Sequence, residues 1–369
     1  MRLLAILVLG LIGTAVLTNL FHPFHMDFIS FWAAAKLALQ GHAADAYSSA
    51  RLGEIQGQVM ALGTSMPFGY PPPFLLFIVP AGLLPYGIAA ALWIGASYAA
   101  YHLAAQKLMP GFGWAIAGFI PILTCGMLGQ SAMLLAGISF LAFSLLGTAP
   151  FAAGLLLGCL IVKPQLGLLL PLAFLAGAKW KAMIGAAVST GSLLILAWLL
   201  FGTEAYVGFL GSLGRSSSIV ADGMVSWHKM VGVYPALRQL GAPTMLAWSL
   251  HAVVAIAAAG AMCWIWRKNE DPLGLGAAFS AATMLGSPYL YQYDMVSLLM
   301  AFAWLWKQGA PAPLLAGLWL LPLVGFIQNW SPDIPININP IISIGLMILI
   351  CKYQSAPAVE HGAAPIRQP

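Results

Sequence analysis

The reading of this chain turns on residues 151–177, FAAGLLLGCLIVKPQLGLLLPLAFLAG, an apolar run broken near its middle by Lys163, Pro164 and Gln165. The arms on either side, 151–162 and 165–177, hold only about 12 residues each, whereas roughly 20 are needed to cross the hydrocarbon core of a bilayer. A lysine in the middle of such a stretch carries an insertion cost of roughly 2.5–3.5 kcal/mol, so it must face a partner or an anion. The two arms therefore read as a pair whose tip ends at membrane depth. Such a tip is tolerated only where it is packed in protein or lines a wet cavity.

The rest of the chain agrees with that reading. Of its 369 residues 61% are hydrophobic and 7% charged, with a mean hydropathy of +0.90, against roughly 25% charged residues in a soluble domain. Too few charges remain to cover a water-facing surface, and the chain is expected to be an all-α integral membrane protein. Apolar runs predict spans near 3–20, 74–106, 112–127, 131–147, 151–162, 165–177, 182–201, 243–266, 273–286, 291–306, 312–328 and 338–351, a polytopic bundle of about 10–12 transmembrane helices. One membrane domain over 1–355 is expected, with a polar, disordered cytoplasmic tail over 356–369.

Charge sets the expected orientation. The run from Leu3 to Leu20 follows Arg2 without a small-x-small cleavage pattern and reads as an uncleaved first helix. With Arg2 inside, alternation places Lys107, Lys179, Lys181, Arg267, Lys268, Lys307 and Lys352 on the same side, as the positive-inside rule asks. Seven of the ten acidic residues then fall outside: Asp27, Asp45, Glu54, Glu204, Asp222, Asp294 and Asp333. The short pairs predict a cavity open to that side, walled by outer segments of about 21–73 and 202–242. Within the first of these, Phe28 to Leu39 reads as an amphipathic helix lying at the interface.

Polar residues collect at the outer tips, and each has a plain structural alternative. Lys163, with Gln165 and the backbone amides after Pro164, could hold a phosphate at a helix start, or Lys163 could snorkel to the interface. Asp27 follows the first helix directly, where a carboxylate serves either as a general base or as the cap of the helix from Phe28. Tyr70 before Pro71, Pro72 and Pro73 is held on stiff backbone, which either starts the next span or presents a ring to a sugar. His228 and Lys229, after Ser216, Ser217 and Ser218, read as a mobile loop whose basic pair could close on a phosphate, or as an interfacial patch with Trp227. Asp294 follows Tyr291 and Tyr293 and could cap the tenth span. Gln130 after Gly129 completes the set.

The run His22-Pro23-Phe24-His25-Met26-Asp27 offers two imidazoles and a carboxylate, but its proline spoils regular spacing and no second cluster completes a shell, so no metal is expected. Cys125, Cys159, Cys263 and Cys351 have neither metal spacing nor a disulfide framework. The net charge of +5 is accounted for by the residues flanking spans, and nucleic acid is not implied.

Taken in order, Met26-Asp27-Phe28, Phe31-Trp32-Ala33-Ala34, Gly41, Ala46-Tyr47, Tyr70-Pro71-Pro72, Gly129-Gln130, Lys163-Pro164, Ser287-Pro288 and Tyr293-Asp294 resemble glycosyltransferase family 87, over roughly residues 1–310. These are multispanning enzymes of the GT-C class. The resemblance implies a metal-independent, inverting transfer of a hexose, usually mannose, from a polyprenyl-phosphate sugar to a glycolipid or glycan hydroxyl at the outer face of a bacterial plasma membrane. It makes Asp27 the base; the reading of the residues adds Lys163, Gln165, His228 and Lys229 as donor-phosphate ligands and Tyr70, Gln130, Tyr291, Asp294 and His25 as substrate contacts. The chain departs from members that carry a histidine in the late outer loop, offering Tyr291-Gln292-Tyr293 instead.

The absence of a Walker or Gly-x-Gly-x-x-Gly loop in a soluble domain agrees with a lipid-linked donor and no cofactor. Two other classes stay open. A transporter or flippase of a lipid-linked sugar or small anion would use the same cavity, but such proteins carry internal repeats and midplane polar residues, and no repeat is visible. A non-catalytic scaffold with a degenerate site is the third.

Overall fold

The computed structural model describes residues 1–21, 27–61, 63–221, 226–328 and 336–355; His25 and residues 356–369 fall outside them. Every regular element among these residues is helical. The first part of the chain forms α1 (Arg2–Phe21), α2 (Phe28–Leu39), α3 (Ser49–Gly57), α4 (Leu75–Ile78), α5 (Tyr86–Leu108), α6 (Gly113–Ala117), α7 (Pro121–Leu128), α8 (Ala132–Leu145) and α9 (Pro150–Gly158). There follow α10 (Pro164–Gly167), α11 (Leu170–Ala176), α12 (Trp180–Ala221), α13 (Val233–Gln239), α14 (Thr244–Lys268), α15 (Pro272–Gly286), α16 (Leu299–Lys307), α17 (Ala312–Gln328) and α18 (Asn339–Ser355). Short 3₁₀ turns link several of them.

Four of these helices are long and apolar enough to cross a membrane, over Arg2–Leu20, Tyr86–Leu108, Trp180–Gly214 and Thr244–Lys268. Leu3, Leu103, Leu199 and Ile256 on these helices stay exposed, as lipid-facing residues do. The shorter α8, α15 and α16 are enclosed: every residue of α15 from Leu273 to Leu285 is buried. One apolar core runs from Val8 to Ile350.

Several predicted spans are broken where the chain carries proline or glycine. The stretch 74–106 is not one span. Pro72–Leu83 is a separate short apolar segment, and a long helix starts only at Tyr86, after Pro85 in an extended conformation. Proline lacks the N–H a helix interior needs and forces the residue before it out of the helical region, which accounts for the break. Likewise 112–127 divides into α6 and α7 at Gly118 and Pro121, and 291–306 begins as a 3₁₀ turn, Gln292–Leu298, before α16. The tight pair around Lys163 is present as expected: α9 and the 3₁₀ turn Cys159–Val162 end at Lys163, and α10 and α11 return from it.

The helix from Phe28 does not lie half-exposed at an interface. Nine of its twelve residues are buried, because the 3₁₀ turns Ala43–Tyr47 and Val79–Leu83, with α3 and α5, pack around it. The Trp32 indole N–H donates to the Leu84 carbonyl at 2.9 Å, tying α2 to the turn before α5.

Backbone approach fixes two joints. A Cβ on Gly154 of α9 would stand 2.0 Å from the Ala182 carbonyl oxygen of α12, and one on Gly185 would stand 2.2 Å from that of Phe151. Small residues let the two backbones meet, as membrane helix pairs require. At Gly202 (φ 74°, ψ 171°) α12 breaks, a conformation open essentially to glycine. Its second arm then bends back, so that the Tyr206 hydroxyl donates to the Leu194 carbonyl at 2.7 Å while Phe209 packs on Tyr47.

The basic residues gather at one end. Lys179 pairs with Glu270 at 2.8 Å, and Asn269 donates to Gln354 at 2.7 Å, which brings the ends of α11, α14 and α18 together with Arg267, Lys268 and Lys352. The predicted site residues within the described chain lie toward the other end.

Candidate active site

Lys163 sits at the tip between α9 and α10 with its side chain 9% exposed, and its ammonium donates to Asp294 Oδ1 at 2.5 Å. This is the partner that a lysine buried among apolar helices demands. Asp294 is brought there by the 3₁₀ turn Gln292–Leu298, where it also does the capping work expected of it. Its Oδ2 accepts the Tyr291 backbone N–H at 3.0 Å, and its own N–H donates to the Tyr291 carbonyl at 2.8 Å. The ammonium lies 4.8 Å from the Tyr293 ring centroid and 6.0 Å from that of Tyr70, within range of a cation–π attraction. Tyr291 stacks on Tyr293 with centroids 5.4 Å apart.

The helix after Pro164 is only the four residues of α10, too short to add up a useful dipole. Gln165 is half-buried on that turn.

Tyr70 links this pair to Asp27. Its hydroxyl donates to Gln130 Oε1 at 3.1 Å and shares a 2.8 Å contact with Ser131 Oγ. Gln130 in turn donates from Nε2 to Asp27 Oδ2 at 2.7 Å. Burial first, then the Asp294 carboxylate, with Asp27 acting in the same sense, push the Tyr70 hydroxyl well above the usual phenol range. It is therefore a neutral donor at any physiological pH. The ring is wedged against Phe74 at 4.2 Å and Phe31 at 5.1 Å, and its carbonyl accepts from Tyr47 at 2.9 Å.

Gln130 is aimed by the backbone before it. Gly129 ends α7 in the left-handed region (φ 65°), a conformation glycine adopts without strain. Its carbonyl accepts the Trp93 indole N–H at 3.0 Å, and the Gln130 carbonyl accepts from Cys125 Sγ at 3.3 Å. Asp27 stands at the start of α2, yet its carboxylate makes no cap hydrogen bond to that helix. It is half-buried where Asp294 is 1% exposed.

The segment bearing His228 and Lys229 is fastened rather than loose. Val231 N–H donates to the Leu290 carbonyl at 2.9 Å, and Met230 bridges to Tyr291. The His228 carbonyl accepts from Gln292 at 2.8 Å and from Asn339 at 3.0 Å, while Asn337 donates to the carbonyls of Trp227 and Met230, each at 2.8 Å. Over residues 226–231, two amides near the start of α18 and one from the turn before α16 take up the segment's carbonyls; residues 222–225 of the expected loop lie outside the described residues. Nor are His228 and Lys229 an equal basic pair. Lys229 is exposed, but His228 is buried, and burial with the neighbouring ammonium of Lys229 holds its imidazole below the usual range.

The structure thus joins Asp27, Gln130, Tyr70, Lys163, Asp294 and Tyr291 in one network, with His228 and Lys229 on the adjoining segment; the position of His25 is outside the described residues. Sequence reasoning passed over Ser131, Trp93, Asn337 and Asn339. Ser131 directly follows Gly129-Gln130, and Asn337 and Asn339 stand just before an apolar run, where buried amides need partners. Those were the available signals. Among the described residues no group of three or more His, Cys, Asp or Glu side chains could hold a metal ion.

A helical membrane protein with a polar network packed between short helices defines the class. The model of glycosyltransferase family 87 matches residues 68–288, more than half of the chain, which belongs to that family. The match takes in Tyr70, Gln130, Lys163, His228 and Lys229; Asp27 and Asp294 lie outside it and are tied in by the hydrogen bonds above. No curated protein and no solved structure matches the chain.

Proposed function

We propose that this glycosyltransferase moves a hexose, mannose on the family resemblance, from a polyprenyl-phosphate donor to an acceptor hydroxyl at the outer membrane face, with inversion and with Asp27 as general base. The observation that carries the reading is the contrast between two carboxylates in one network. Asp294 is enclosed and neutralised by Lys163. Asp27 is half-buried and accepts from Gln130 at Oδ2, so it is the carboxylate of the two that an acceptor hydroxyl can reach.

In the proposed step the acceptor hydroxyl gives its proton to Asp27 while its oxygen attacks the anomeric carbon from the face opposite the phosphate. The bond from that carbon to the phosphate oxygen breaks, and the lipid phosphate leaves with the electron pair. An ammonium has three N–H donors. The bond from Lys163 to Asp294 takes one of them, which leaves Lys163 able to meet the departing phosphate from below, with exposed Lys229 as the second cation. The half-buried Tyr291 ring supplies a face for the sugar. The donor's polyprenyl chain would lie along the helices in the bilayer, and no cofactor takes part.

The test is transfer from radiolabelled polyprenyl-phosphate-mannose to membrane lipids by the protein in proteoliposomes, comparing wild type with Asp27→Asn. Loss of a general base lowers turnover by on the order of 10²–10⁴, and donor binding should survive. Wild-type activity retained by Asp27→Asn would remove the assigned base. Absence of product from several polyprenyl sugars, with donor flipping observed, would instead favour a flippase.

A further inference from the structure

A small cavity of about 20 Å³, with Asp294 of the Lys163–Asp294 pair in its lining, lies among α8, α15, α16 and residues on either side of the Lys163 tip. Most of its lining is apolar, from Leu135, Phe279 and Met300 among others, but five polar residues also line it: Asp294, Ser139, Ser280, Thr283 and Ser297. This is an unusual collection for the interior of a membrane bundle, where each polar group must be satisfied within the protein.

The hydroxyls are not equivalent. Ser139 donates to the Leu135 carbonyl at 2.9 Å, Ser280 to Ala277 at 3.1 Å and Ser297 to Asp294 at 3.2 Å, so their protons are committed to helix backbone and their oxygens can only accept. Thr283 is 3% exposed, and its Oγ1 is buried without a hydrogen-bond partner. A buried hydroxyl left so is destabilising. Asp294 has accepted one bond at each carboxylate oxygen, from Lys163 and from Tyr291, and each oxygen retains a further lone pair.

We infer that this cavity is a water-binding site: one ordered water accepts the Thr283 hydroxyl proton and donates to Asp294 and to a serine oxygen, making Thr283 a positioning residue for the Lys163–Asp294 pair. The size agrees, since one water needs roughly 10–15 Å³ of such space and two to four polar partners. A cation is the less suitable occupant, because Lys163 already supplies the positive charge on this carboxylate and a second would be repelled in a low-dielectric interior. The water's bond to Asp294 holds the carboxylate in the one rotamer that serves both Lys163 and the Tyr291 N–H. The function assigned to Thr283 rests on the glycosyltransferase reading, whereas the water site itself does not.

The experiment uses the full chain in nanodiscs, with high-resolution cryo-electron microscopy of wild type, Thr283→Val and Thr283→Ser, alongside donor KM and kcat for each. Valine keeps the shape of threonine and removes its donor, so folding should be preserved, and serine restores the donor. Ordered density between residue 283 and Asp294 in wild type and Thr283→Ser, absent in Thr283→Val, is the expected result. A several-fold rise in donor KM should accompany that loss, with kcat changed less and with rescue by serine. A dry cavity in the wild type, or density that persists in Thr283→Val, overturns the water site. Density lost with no change in KM overturns the positioning role. A wild type that holds the water but transfers no sugar leaves the site standing and sinks the catalytic reading alone.

Discussion

Removing either partner of the Lys163–Asp294 pair should be far more damaging than removing both, and the two single variants should depend on pH in opposite ways. The Lys163 and Asp294 side chains are 9% and 0% exposed, so Lys163→Met strands an anion and Asp294→Asn strands a cation. Breaking a buried pair from one side costs about 3–5 kcal/mol. An independent bound comes from proton uptake. A carboxyl of ordinary pKa, about 3.9, can be held neutral at pH 7 for about 4 kcal/mol, and an amine of about 10.4 for about 5 kcal/mol. The stranded group escapes by changing protonation once its penalty exceeds these values, so the two estimates agree.

The signs follow from linkage. In Lys163→Met the folded state favours the protonated acid while the unfolded state ionises it, so the stability deficit shrinks as pH falls, by up to about 1.4 kcal/mol per pH unit. In Asp294→Asn the folded state favours the neutral amine, so the deficit shrinks as pH rises. The double variant removes both charges and should lie well above the sum of the single losses, because replacing a whole buried pair is often neutral. Unfolding in detergent, followed by near-ultraviolet circular dichroism at a series of pH values, reads all of this. Single losses below about 1 kcal/mol, or pH slopes of the same sign, would refute the picture of a desolvated pair.

Three further outcomes are expected. Gly154→Val should destabilise by at least the about 1–3 kcal/mol of an overpacked core, since the new Cβ would fall 2.0 Å from the Ala182 carbonyl oxygen; an unchanged melting temperature would mean that α9 and α12 do not meet so closely. Asn339→Leu should free the His228 carbonyl of one of its two donors and speed hydrogen exchange at Val231, whose N–H is bonded to Leu290; unaltered exchange would place the restraint elsewhere. His228 has a folded pKa below the ordinary 6.5, so the unfolded state binds the proton more readily. Stability is therefore full above about pH 6.5 and declines as pH falls below it toward the lowered folded value, a decline that His228→Gln should abolish in thermal scans.

Much of the fold was legible because lipid leaves so little choice: low charge, apolar runs and a lysine with proline at residues 163 and 164 dictate helices and a tip at depth. Breaks inside the runs were less legible. Hydropathy is blind to Pro85, Gly118 and Pro121, each of which interrupts an apolar stretch without making it less apolar. The helix from Phe28 was read as surface-lying because its cover comes from residues 43–57 and 72–83, and no local pattern reveals which distant segment will lie over a helix. At the site, Asp27, Tyr70, Gln130, Lys163, Tyr291 and Asp294 were singled out one by one, but their pairing was not legible. Lys163 and Asp294 are 131 positions apart and Gln130 and Asp27 are 103 apart, separations over which one sequence carries no signal.

That pairing changes what each residue can do. Had the two stood apart, all three Lys163 N–H groups would be open to a phosphate, and Asp294 would be a second candidate base. Joined, they cancel at the cost of one N–H, and the network is left with one carboxylate less enclosed than the other. Gln130 matters here because it is neutral. A lysine in its place would form an ion pair with Asp27 and weaken it as a base, whereas an amide orients the carboxylate and leaves its charge intact. The amide is itself held by Tyr70, whose burial beside Asp294 keeps its proton in place. On this argument Tyr70→Phe should slow transfer less than Asp27→Asn but more than a change confined to sugar contact, since it releases the Gln130 side chain. A Gln130→Lys variant, tested in the same transfer assay, should lose activity while keeping the fold, and full activity there would show that the charge of Asp27 is not what the site depends on.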